Sequence, residues 1–290
     1  MVAAGSVMIA SKGLFAKALY AQGLDHHTVA AARSVLAIPG FIAIAWWSRG
    51  ASRNLPWSLG ETVVAMLAGL LCYYLGSLAN FYALTLIDAG VERAILFSYP
   101  AMVVLLELVV GRQRPGRTTI LALLATSIGV VLVTGMASRS VSVNEIAGVL
   151  WILFCSATIA IYFLISARLT RRMGTGRFTM VAQTSAGLAF FFHYQLHDGW
   201  LQLSLPGSSL YLLLAMVVVA TVLPLYFISE GVRQVGASRA AIISTLGPPS
   251  TAFMAYSLLG EIMTWTQVTG LVLIVFAVAS LERREHVGTA

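Results

Sequence analysis

The chain has 290 residues and a formal net charge of +7, and it is 59% hydrophobic but only 10% charged. Soluble domains carry ~25% charged residues, so a mean hydropathy of +0.87 excludes a water-soluble fold and makes lipid the solvent for most of the chain. The basic residues are spread over many short connections and form no patch or arm, so the positive charge does not read as a nucleic-acid surface. The apolar stretches are long and unbroken, without the alternation of barrel strands, and each closes its own backbone hydrogen bonds only as a helix.

Hydropathy places ten spans along the sequence. The first, Ala4–Tyr20, holds both lysines of the chain, Lys12 and Lys17. With this span running outward, Lys12 lies near mid-depth and Lys17 sits ~7.5 Å closer to the outer face, turned by ~140°. Lys17 has the short route to the interface, which leaves Lys12 as the better cavity residue. Its partner would be a substrate carboxylate or other anion, or backbone carbonyls freed by a kink. The second span, Thr28–Trp47, carries Arg33 near its outer end, where Asp25, Asp88 or Glu92 would pair with it; this structural pair is preferred over the alternative, contact with the substrate. On the third, Thr62–Leu86, helical spacing puts Tyr73, Ser77 and Asn80 on one face. The fourth, Gly90–Val110, offers Ser98 and Tyr99 just before Pro100, and the fifth is Thr118–Met136.

The sixth span, Ile146–Ala167, contributes Trp151, Ser156 and Tyr162. The seventh, Phe178–Gln195, ends near His193 and His197, followed by Asp198. The four-residue spacing suits zinc, but the nearest further histidines, His26 and His27, stand in another outer loop. An interfacial cluster is the preferred reading, with no metal. The eighth, Leu210–Gly231, carries Thr221, Pro224 and Tyr226; the ninth, Ala237–Leu259, carries Ser244, Thr245, Pro248 and Pro249; the tenth is Thr264–Leu281. Hydroxyl residues also pack membrane helices and aromatic ones anchor span ends. Together with a central lysine they are consistent with an amphiphilic, aromatic solute. Each in-span proline removes a backbone donor, so Pro100, Pro224, Pro248 and Pro249 are candidates for hinges or cavity walls as well as for shape alone.

The arginines test this count. If the N-terminus is cytoplasmic, thirteen of the eighteen basic residues fall on the cytoplasmic side, among them Arg168, Arg171, Arg172 and Arg177, and only Arg93 and Arg139 fall in outer connections. The positive-inside rule thus favours ten spans with both ends cytoplasmic, in the plasma (bacterial inner) membrane. Cys72 and Cys155 lie in apolar runs and read as packing residues, and no cleavable leader is expected. There is no phosphate-binding GxxxxGK loop, no HExxH and no mid-membrane carboxylate. ATP is therefore not the direct energy source, an intramembrane enzyme is not expected, and no cofactor is called for.

Two segments read alike. Gly90, Arg93, Ala94 and Ser98 match Gly236, Arg239, Ala240 and Ser244, and a short gap then aligns Pro100 with Pro248 or Pro249 and Gly111 with Gly260. The segments stand five spans apart, an odd number, so the second copy is inverted in the membrane, as in many transporters. The expected architecture is an all-α membrane protein of two inverted five-helix repeats, residues 1–138 and 139–290, around a central cavity.

The stretch "SRAAIISTLGPPSTAFMAYSLLGEIMTWTQVTGLVLI" and, in the first half, "LANFYALTLIDAGVERAILFSYP" with Arg33 resemble the EamA-type members of the drug/metabolite transporter superfamily. Gly111 and Arg112 depart from the Gly-Glu common in that family, as does the short run before Pro100. The resemblance covers nearly the whole chain. It implies a helical basket whose spans one, three, four, six, eight and nine line the cavity, and export of amino acids, aromatic ones included, or of related metabolites. The other readings are a transporter of sugar phosphates, nucleotide-type anions or drugs, and a membrane scaffold or receptor that moves nothing. The expected partners are a small solute and the lipid bilayer, with a monomer sufficient.

Overall fold

The computed structural model describes residues 1–48, 58–83, 86–87, 95–110, 116–134, 146–197, 207–259 and 264–287. Among these residues all regular structure is helical. In chain order the helices are α1 (Val2–Ala10), α2 (Lys12–Ala21), α3 (His26–Trp47), α4 (Leu59–Gly69), α5 (Gly76–Ala83), α6 (Tyr99–Val109), α7 (Arg117–Thr134), α8 (Ile146–Met173) and α9 (Thr175–His197). They continue with α10 (Gly207–Val217), α11 (Leu223–Val235), α12 (Ala237–Ile243), α13 (Gly247–Leu259) and α14 (Trp265–Val287). Among the described residues five stretches are long and apolar enough to cross a membrane: Val2–Ala21, His27–Trp47, Leu59–Asn80, Ile146–Met173 and Ser209–Val235. Large apolar side chains face outward on them and on shorter apolar helices; Leu67 is 58% exposed and Phe276 72%. This is the surface of an all-α polytopic membrane protein, in which lipid replaces water as the outer solvent.

Several spans are interrupted. Ser11 separates α1 from α2, its hydroxyl turned back onto the Met8 carbonyl at 2.7 Å. A π turn, Leu70–Leu75, joins α4 to α5, and another, Val218–Val222, joins α10 to α11. A 3₁₀ turn, Ser244–Leu246, joins α12 to α13. The helix starts follow their local chemistry. Asp25 caps α3 by accepting from the Thr28 amide at 2.8 Å, and Ser58 caps α4 by accepting from the Glu61 amide at 3.2 Å. Thr264 and Gln267 cap α14 reciprocally, each accepting from the other's amide. The sixth span runs further than hydropathy indicates, to Met173, so Arg168, Arg171 and Arg172 stand on helix rather than in a connection. Cations favour a helix C-terminus, and Gly174, at φ 86°, then ends it in a backbone conformation that favours glycine.

The chain forms two compact units, neither of which is a sequence half. The first comprises Met1–Tyr74 and Ile165–Arg233, the second Leu75–Leu164 and Gln234–Ala290. In the first unit α3 packs on α9 and α10, and α9 packs on α4. Its core joins Leu19, Val29 and Ala32 to Leu213 and Met216, and Ala37 and Phe41 to Val217, Val222 and Leu225. Small residues let these backbones close up: a Cβ added at Gly69 would lie 1.9 Å from the Ala182 carbonyl oxygen. In the second unit α7 packs along α14 and α12 packs on α6.

Candidate functional site

The second unit contains both segments that the sequence aligns. Each is broken at its matched serine. Ser98 stands in the turn before α6, and Ser244 opens the 3₁₀ turn after α12. Tyr99 and Ser244, both buried, hydrogen-bond to each other through their hydroxyls, and Phe163 lies against the Tyr99 ring at a centroid distance of 5.6 Å. The Ser98 hydroxyl oxygen is buried, with no hydrogen-bond partner among the described residues. Thr245 is buried too, its hydroxyl on the Ile242 carbonyl at 2.6 Å.

The prolines explain the breaks. Pro100 stands second in α6, Pro224 second in α11, and Pro248 and Pro249 second and third in α13. Each therefore occupies the first turn of a segment that follows an interruption, where a missing N–H is tolerated. Pro100 offers nothing to the Leu96 carbonyl, and the Ser156 hydroxyl lies within reach of it at 3.1 Å, its single proton shared among that carbonyl, Ile95 at 3.3 Å and Ile152 in its own helix at 2.9 Å. Ser156→Ala leaves that carbonyl without its hydroxyl and should cost about 1 kcal/mol. Thermal unfolding in detergent checks it; an unchanged melting temperature would count against this role. Tyr162 is buried in the same helix, whereas Trp151 is exposed and meets Tyr82 edge-on at 5.7 Å.

In the first unit Lys12 is exposed, directly after the break at Ser11, and the Lys17 side chain lies outside the described residues. Tyr73 and Thr221 both stand in π turns. The Thr221 hydroxyl is buried and donates to the Met216 carbonyl at 3.3 Å, while the Arg33 guanidinium donates to that hydroxyl at 3.3 Å. Asp88, Glu92 and Asp198 lie outside the described residues; Asp25 caps α3 and also takes the Thr28 hydroxyl at 2.8 Å. His193 shares a hydrogen bond of 3.1 Å with the Tyr74 hydroxyl, and no cluster of three potential metal ligands occurs among the described residues. Ser77 and Asn80 belong to the second unit and Tyr73 to the first, where it stands within the π turn that precedes them. The spacing of four and three that unites them on paper assumes an α-helix throughout, and a wider π turn shifts that register.

Sequence reasoning did not single out two acidic contacts. Glu230, 8% exposed, accepts from Arg233 Nε at 2.8 Å, from a second Arg233 nitrogen and from the Thr175 hydroxyl. Glu107 accepts from the Ser238 hydroxyl in the second unit. The i,i+3 spacing of Glu230 and Arg233 is the one signal that was present for the first.

Comparison with known proteins defines the class. Residues 1–135 and again 146–282 match the EamA-like transporter family. The uncharacterized transporter YcbK of Bacillus subtilis is 31% identical over 97% of this chain and 91% of its own. The uncharacterized inner membrane transporter YicL of Salmonella typhimurium is 27% identical over 70% of this chain and 68% of its own. A solved crystal structure shares the fold at a TM-score of 0.80 and 16% identity, covering 98% of this chain and 96% of the other. The chain belongs to the EamA-like transporter family, within the drug/metabolite transporter superfamily. It is a membrane transporter of small solutes and not an enzyme.

Proposed function

We propose that the protein is a secondary transporter exporting amino acids, aromatic ones included, or related carboxylate-bearing metabolites. It works by alternating access, with ten spans in two inverted repeats, residues 1–138 and 139–290, and both termini on the cytoplasmic side of the inner membrane. The observation that carries this reading is the pair of interruptions at Ser98 and Ser244, which fall at aligned positions of segments five spans apart and are joined through Tyr99. Matched breaks in two repeat-related spans are the sequence-level pointer to a transport site. The solute's own gradient drives it, as uniport or exchange.

Flux into proteoliposomes tests the proposal directly. Labelled aromatic amino acids should equilibrate faster than in protein-free vesicles, and a protonophore should leave the rate unchanged. No flux of any amino acid, sugar phosphate or nucleotide would favour a scaffold. Within this assay Lys12→Ala should lower transport more than Lys17→Ala at matched expression, since Lys12 lies deeper in the first span. Equal or reversed losses would remove Lys12 from the solute path.

A further inference from the structure

We propose that Arg33 is the anchor for the solute's carboxylate, with the hydroxyls of Thr221 and Tyr73 completing the seat. This inference rests on the transport reading above and adds to it a subsite within the first unit.

Depth is the first argument. Thr221 stands fourteen residues from Gly207 and fourteen from Val235, the two ends of the continuous α10–π–α11 stretch. At 1.5 Å per residue that is ~21 Å from either end. By reaching Thr221, the half-buried Arg33 places a permanent positive charge at mid-length of the longest path through the unit. A guanidinium at such depth is costly and normally faces a partner or a solute pathway. Among the described residues its hydrogen-bond acceptor is one neutral hydroxyl at 3.3 Å, against a capacity of five N–H donors.

The two π turns supply the second argument. Leu70–Leu75 begins eleven residues after Leu59, and Val218–Val222 begins eleven residues after Gly207. Tyr73 and Thr221 are each the fourth residue of their turn. The two helices are spans three and eight, five apart, so the same local distortion delivers a hydroxyl residue from the same place in each proposed repeat. Such turns occur frequently at functional sites. Tyr73 packs against the cluster of Ala37, Val217 and Val222, which borders Thr221 and lies one helical turn from Arg33 on α3. The Tyr73 hydroxyl also lies within electrostatic reach of the guanidinium.

The chemistry then selects the ligand. A planar guanidinium fork matches a carboxylate with two parallel hydrogen bonds. One arginine flanked by neutral hydroxyls balances a single negative charge, which favours a carboxylate over a dianionic phosphate.

The test compares an amino acid with its amide, which lacks the carboxylate charge, in proteoliposomes holding the full chain. Wild type should move the acid with the lower KM. In Arg33→Gln the KM for the acid should rise about tenfold or more while that for the amide stays within about twofold, with Arg33→Lys in between. Should Arg33→Gln fail to accumulate, Thr221→Val and Tyr73→Phe carry the same comparison, each raising the KM for the acid alone. An unchanged preference for acid over amide in these variants would overturn the anchor while leaving transport intact. Wild-type vesicles that move neither compound would overturn the transport reading, and the anchor with it.

Discussion

Gly69→Ala is expected to destabilise the protein more than any other single methyl addition in α4. The new Cβ would fall 1.9 Å from the Ala182 carbonyl oxygen and 2.5 Å from its carbonyl carbon. Both are backbone atoms of α9, so no rotamer change relieves the clash and the two helices must part. Overpacking of this kind costs about 3 kcal/mol at its upper range, a fall in melting temperature of about 5–10 °C for a chain of this size. Gly60 provides the internal control: nothing lies within 4 Å of a Cβ built there. Gly60→Ala should be neutral or stabilising by about 0.5–1 kcal/mol, since glycine is a poor helix former. Thermal unfolding of both variants in one detergent gives the comparison, and equal melting temperatures would refute the close contact between α4 and α9.

Glu230→Ala should be the most damaging change to a charged residue. The carboxylate is buried and accepts from two Arg233 nitrogens and from the Thr175 hydroxyl. Truncation deprives a cation and a buried hydroxyl of their acceptor together, at a cost of about 2–3 kcal/mol. Arg233→Ala should cost less, about 1 kcal/mol, because its side chain is 42% exposed and water replaces the acid for it but not for Glu230. The ranking is read from melting curves of the two variants; a larger loss in Arg233→Ala would reverse the assignment of which partner is the buried one.

Much of the helical frame was legible in the sequence, because the bilayer imposes one rule on every span. The ends of α3 and α9 fall within three residues of where hydropathy places them, and α8 starts where expected but runs six residues further, through its arginines, to Met173. The interruptions at Ser98 and Ser244 were indicated by the prolines that follow. The π turns were not, because an extra residue in one turn leaves composition unchanged, and so the stripe of Tyr73, Ser77 and Asn80 looked continuous. Arg33 was placed toward the outer end of its span by counting along α3 alone. Its reach to Thr221 depends on how α3 meets the long α10–α11 stretch, and contacts between residues 188 positions apart leave no mark in local pattern. The cluster at Glu230 was visible only as a pair; Thr175 joins it across 55 residues.

The division of the chain into compact units sets a timetable for its synthesis. The first unit needs Met1–Tyr74 together with Ile165–Arg233, and most of what is made in the interval belongs to the second. At ~5–20 residues per second, Arg233 follows Tyr74 off the ribosome by roughly 8–30 s. Until α9 is complete at His197, the faces of α3 and α4 that will receive it, including the one bearing Gly69, are without that partner. A nascent chain released at any point before Arg233 leaves both units short of a part. The cell's membrane surveillance would then face two incomplete bodies, where a protein built half by half would have offered one finished and one missing.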